Sequence, residues 1–169
     1  MALSTAKRAI LYRWDRQPAE GVVQFDPIHP ASFLRDDRLE WMTREGHLEI
    51  CSLESCKALC FVSESGKSDL FSEHNLFERR PRVPGLWTRF KFRDGTLLDG
   101  ILSHNLLEWP ASGYFVVPPQ ARASRQRVFI PRSALAGTEL RGVVGGPGYP
   151  LKGREPARKE ERQLSIFDL

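Results

Sequence analysis

The chain has 169 residues, of which 41% are hydrophobic and 27% charged, with a net charge of +4 and a pI near 9.2. That balance is enough to build a buried core and excludes wholesale disorder, while the length allows one ordinary domain or two very small ones. No apolar run reaches the roughly 18 residues of a membrane span, and Lys7-Arg8 interrupts the start before any stretch long enough for a secretory signal, so a cytosolic protein is expected.

In chain order, the first informative segment is AILYRWDRQPAEGVV, beginning at Ala9. It can be laid over TRFKFRDGTLLDGIL, beginning at Thr88, an offset of 79 residues. Asp15 then falls on Asp94, Glu20 on Asp99 and Gly21 on Gly100, and Val22-Val23 coincides with Ile101-Leu102. An internal repeat of this kind constrains the whole architecture. RLEWMTREGHLEI (38–50) follows in the first copy and predicts two strands around a Glu45-Gly46 turn. A short polar turn at 52–55 leads into a last apolar strand at 57–62. The three cysteines, Cys51, Cys56 and Cys60, lie here; they are odd in number and lack paired CxxC spacing, which predicts reduced thiols packed in strands.

The next segment, 63–85, is rich in turn formers and charge, and Pro81 and Pro84 oppose a helix. Its apolar residues Leu70, Phe71, Leu76 and Phe77 are expected to pack it onto a folded unit. In the second copy Phe90 and Phe92 alternate with Arg89, Lys91 and Arg93, Asp94-Gly95 predicts a hairpin turn, and 96–102 is the return strand. Gly100 in mid-strand suggests a bend where a small barrel curls. GYFVVPPQARASRQRVFI (113–130) reads as two strands around a longer basic loop, and 132–136 leads into a last strand at 139–144.

Five short strands with a one-turn helix before the last fit a small barrel of the SH3-like or Sm-like kind. The fold expected is therefore mostly β, with a first barrel at 1–66, a linker at 67–85, a second barrel at 86–146 and a flexible tail at 147–169. A single β-sandwich in which the D-G turns coincide is the competing reading. After the glycine-rich GGPGYP (145–150) the tail is dominated by charge until its last seven residues, which predicts disorder with an apolar end.

Catalytic signatures are not evident. His29, His47, His74 and His104 show no metal spacing, and no GxSxG elbow, Walker loop or GxGxxG occurs. Cys56 and Cys60 lie in or beside apolar strands, where thiols are usually inert. A non-enzymatic protein without cofactor or metal is expected. Nucleic-acid binding is a stronger candidate: Arg89, Lys91 and Arg93 line one strand face, Arg122, Arg125 and Arg127 crowd one loop, and Trp109 and Tyr114 are nearby aromatic platforms. The bland counterpart is a solvated strand face balanced by Asp94, Asp99 and Glu108.

Two resemblances add to this reading. The runs SLESCKALCFV, RVPGLWTRFKFRDGTLLDGIL and VFIPRSALAGTELRGVV resemble an uncharacterised bacterial family over roughly the first 145 residues. That likeness implies a bacterial, cytosolic, β-rich protein and supplies no catalytic residue. Gln163-Leu164-Ser165-Ile166-Phe167 resembles the pentapeptide, close to QLSLF, by which bacterial replication and repair proteins bind the DNA polymerase sliding clamp. The resemblance implies a polar role for Gln163, a first apolar anchor in Leu164 and terminal anchors in Ile166 and Phe167. Ile166 departs from the consensus leucine by a β-branched substitution of equal volume. The expected partners are thus the sliding clamp and either DNA, RNA or a protein. The alternative is that the apolar end docks on the chain's own barrels.

Overall fold

Alternating apolar and polar residues bounded by turn formers yield strands throughout, and no α-helix occurs among the described residues. The computed structural model describes residues 5–26, 28–62, 70–71, 74–119 and 127–145. Its first half runs β1 (Thr5–Arg13), β2 (Ala19–Phe25), β3 (Leu34–Arg35), β4 (Arg38–Thr43), β5 (Leu48–Ser52), a 3-10 turn (Leu53–Ser55) and β6 (Cys56–Phe61). The second half runs β7 (Gly85–Phe92), β8 (Leu97–Leu102), a 3-10 turn (Leu106–Glu108), β9 (Gly113–Val116), β10 (Arg127–Pro131), a 3-10 turn (Arg132–Ala134) and β11 (Leu135–Val144). No helix among the described residues is long and apolar enough to cross a membrane. The basic loop residues Arg122 and Arg125, the tail at 147–169 and the peptide Gln163 to Phe167 lie outside the described residues.

Both anticipated hairpin turns form. Gly46 and Gly95 have φ of 86° and 84°, and the Asp94 carboxylate accepts from the Thr96 backbone N–H at 3.0 Å to close the second turn. At the entry to the first half's last 3-10 turn, the Ser52 hydroxyl accepts from the Glu54 N–H at 3.3 Å, satisfying one of the turn's orphan donors.

The 79-residue offset extends into the strand register. β1 and β7 end at Arg13 and Phe92, β5 and β10 span Leu48–Ser52 and Arg127–Pro131, and β6 and β11 begin at Cys56 and Leu135. Ala9 faces Gly21 as Thr88 faces Gly100, and Arg13 faces Cys56 as Phe92 faces Leu135. In each half the first strand therefore lies between the second and the last.

Hydrogen bonding does not stop at the boundary between the halves. One curled eight-stranded sheet has the order β3-β4-β2-β1-β6-β10-β9, with β5 on the far side of β4; β11-β7-β8 form a second, three-stranded sheet. The junction is the antiparallel pair β6–β10, with Phe61 opposite Arg127, Cys60 opposite Val128 and Leu59 opposite Phe129. Among the described residues, β8 and β9 are hydrogen-bonded only through the bridge Ile101–Val117.

This junction makes β1, β6 and β10 a wall buried on both faces. Leu11, Leu59, Phe61 and Phe129 point into one core with Phe25, Phe33, Leu39 and Trp41. Their neighbours Ile10, Tyr12, Ala58, Cys60, Val128 and Ile130 point into the other with Phe90, Phe92, Leu98 and Leu102. The near-continuous apolar runs of these strands follow from two-sided burial, each large side chain contributing about 1.5–3 kcal/mol. Leu70 and Phe71 join the second core: the Leu70 N–H donates to the Tyr12 hydroxyl at 3.2 Å, and the Phe71 ring stands edge-on to Tyr12 and Phe92, each at 5.2 Å.

Candidate interaction cleft

β7 presents its basic residues outward because Phe90 and Phe92 occupy the inward positions, both with no exposure. Arg89 is committed. Its Nε and Nη2 donate to the two oxygens of Asp99 at 2.7 and 3.1 Å, and Asp99 has no exposure. The same carboxylate accepts from the Trp87 indole at 3.2 Å and the Phe77 backbone N–H at 3.0 Å. This hydrogen bonding to Asp99 raises the Arg89 pKa further above its ordinary value. Residues 75–77 of the connecting segment are thereby fastened over β8: the Asp99 N–H donates to the Asn75 carbonyl at 2.8 Å, and Phe77 stands edge-on to Trp87 at 6.1 Å. Arg93, though exposed, is engaged within the chain, its guanidinium 4.8 Å from the centre of the Trp14 ring and its Nη2 donating to the Glu54 carbonyl at 3.0 Å. Lys91 and Arg127 are exposed.

The aromatic platforms are occupied as well. Trp109 donates to the Ser103 carbonyl at 3.2 Å and packs edge-on to Tyr114 at 5.7 Å. The Tyr114 ring is covered by Arg132, whose guanidinium lies 4.5 Å from the ring centre and donates to the hydroxyl at 2.8 Å.

Between the halves lies an open cleft of about 990 Å³. One wall is the 28–32 loop of the first half; the others are residues 83–84, the end of β8, the 107–110 segment and β9, with Arg127 at one end. Ile28, Val83 and Leu107 rim it at 75%, 45% and 95% exposure, far more than large apolar residues usually show. The 28–32 loop is held by Asp26, which accepts from the Ile28 N–H at 2.8 Å and lies 3.1 Å from the His29 ring. The Ile28 hydrogen bond first, and the His29 contact second, hold the Asp26 carboxyl below its usual range. Mostly apolar walls with one arginine among the described residues suit an extended apolar segment of a partner, and the size is that of a ligand site. Sequence reasoning flagged Arg127 and Trp109 but missed this cleft, because its walls come from five segments with no shared motif. The exposed pair Leu106-Leu107 is the signal that could have pointed to it.

The cysteines are buried and form no disulfide. Burial, with Cys51 beside it, pushes the Cys56 thiol up to about 11, so little thiolate exists near neutral pH. No group of three metal-ligating side chains occurs among the described residues.

These features define a mostly β chain of two sequence repeats built around one shared wall, with an apolar cleft at their junction. It belongs to a family of unknown function, DUF6982, whose model matches residues 5–142. No curated protein and no solved structure matches the chain. The family match covers the folded body and ends before residues 163–167.

Proposed function

We propose that this chain is a non-enzymatic adaptor of the bacterial cytosol. Residues 163–167 bind the DNA polymerase sliding clamp, and the body presents the cleft to a second, protein partner. The observation that carries the reading is the run Gln163-Leu164-Ser165-Ile166-Phe167, a polar residue and three apolar anchors spaced as in clamp-binding peptides. Seventeen residues separate it from Gly145, a contour of about 55–60 Å at full extension, enough for clamp and second partner to be held together. The body is read as two tandem small barrels of SH3-like or Sm-like strand order; the identical register of β1 and β7 with their neighbours supports this.

A protein partner is favoured over nucleic acid because the cleft is apolar while Arg89 and Arg93 are engaged internally. DNA or RNA is the other class, drawing on Lys91 and Arg127 with Arg122 and Arg125 close by in sequence. Phosphate binding would weaken steeply with salt, whereas an apolar segment would be nearly indifferent to it. Truncation after Arg162 tests the clamp reading: it should abolish clamp binding while leaving the thermal unfolding of the body unchanged. Undiminished clamp binding by the truncated chain would contradict it.

A further inference from the structure

The repeat is saturated at one junction and unsaturated at its two equivalents. Within the molecule, the outer edge of β10 is filled by β6, and Phe129 on β10 is 1% exposed because the first half packs over it. The repeat mate of β10 is β5, and that of β6 is β11. Among the described residues β5 pairs only with β4, and β11 only with β7. Ile50, at the position of Phe129, is 58% exposed. It shares an uncovered face with Leu48 at 67% and with Met42, which faces Leu48 across the hairpin, at 47%. On β11, Leu140, the mate of Phe61, is 61% exposed. Exposed apolar side chains beside an unpaired strand edge are a template for strand addition, which monomeric proteins usually block.

We propose that a second copy of this chain fills both edges. β11 of one molecule pairs antiparallel with β5 of the next, Leu140 opposite Leu48 and Thr138 opposite Ile50, so that the β6–β10 junction is repeated between molecules. The two surfaces differ, so the contact is head-to-tail and extends to a ring or an open chain. The same register sets Glu139 opposite Glu49, but each carries its own cation: Arg141 lies 2.8 Å from Glu139 and Arg13 3.5 Å from Glu49. The repeat thus uses its cis junction as the pattern for assembly in trans, independently of what residues 163–167 bind.

Sedimentation velocity of the full chain over a wide concentration range tests this. The wild-type chain should grow beyond a monomer with concentration. Leu48→Lys/Ile50→Lys and Leu140→Lys should each stay monomeric, with unfolding midpoints close to wild type because all three positions are exposed. Mixed in equal amounts, the two variants should form a dimer and nothing larger, since each retains the edge the other has lost. A wild-type chain that is monomeric throughout, or assembly that survives either variant, overturns the proposal. So does a mixture that does not dimerise. Assembly that appears only when the chain is cut after Gly145 would also overturn it, assigning the edges to residues 146–169.

Discussion

Asp99 shows how a charge can serve the fold rather than a ligand. In the sequence it sits inside LLDGIL, where an acidic residue between apolar neighbours in a strand already signals a partner; the sequence reading counted it only as a counter-charge in the alternative of a solvated strand face. The structure buries it completely and gives it Arg89, Trp87 and the Phe77 backbone. Asp99→Ala would strand Arg89, and about 3 kcal/mol of stability should be lost, read as a lower denaturation midpoint. Asp94 makes a different prediction. Burial alone would raise its pKa, but hydrogen bonds from Lys57 at 2.6 Å and from Thr96 outweigh it and bring the carboxyl from 3.8 to about 2. The folded value is the lower one, so this contribution is complete above the ordinary carboxylate pKa and disappears as pH falls from about 4 toward 2. Asp94→Asn should flatten the loss of stability over that interval in acid titrations. Cys51, Cys56 and Cys60, buried and with the Cys56 pKa near 11, should resist a thiol reagent at pH 8 in the native protein and react only after denaturation. Rapid labelling of the native chain would show that the wall opens.

At the level of strands and turns, much was legible. The D-G and E-G turns, the polar lead into each last strand and the 79-residue offset reappear in the strand boundaries, although β11 begins at Leu135 rather than at the expected Glu139. Gly100 was read as a bend, and its surroundings and those of its repeat mate Gly21 give the reason for a glycine. A Cβ at Gly21 would lie 2.4 Å from the Trp41 ring and from the Met42 carbonyl oxygen, and one at Gly100 would lie 2.9 Å from Val116. Gly21→Ala should therefore cost about 2 kcal/mol, and Gly100→Ala less because Val116 can shift its side chain, as compared by thermal unfolding. The contrast between β6 and β11 was not legible in its meaning. ALCFV and GTELR occupy equivalent places, but the first is a wall between two cores and the second an outer edge. Periodicity reports which faces are apolar and says nothing of which strand lies alongside, so the β6–β10 pairing left no local trace.

For the whole molecule, the shared wall ties the halves together. Ile10, Tyr12, Ala58 and Cys60 from the first half pack with Phe90, Phe92 and Leu98 from the second, so neither half keeps its core alone. Denaturation should show one cooperative transition by fluorescence and by circular dichroism alike; two separated transitions would show that the wall does not couple the halves. The cleft escaped sequence reading for a related reason, since it exists only where the halves meet. The clamp-like peptide, by contrast, is legible entirely as sequence, because an extended ligand carries its recognition in consecutive residues. Calorimetric titration of a purified bacterial sliding clamp with the intact chain and with Leu164→Ala/Phe167→Ala is the most direct measurement of whether this protein is an adaptor. Saturable binding by the intact chain, lost in the double variant, is the expected result; no binding by either, or equal binding by both, would contradict it.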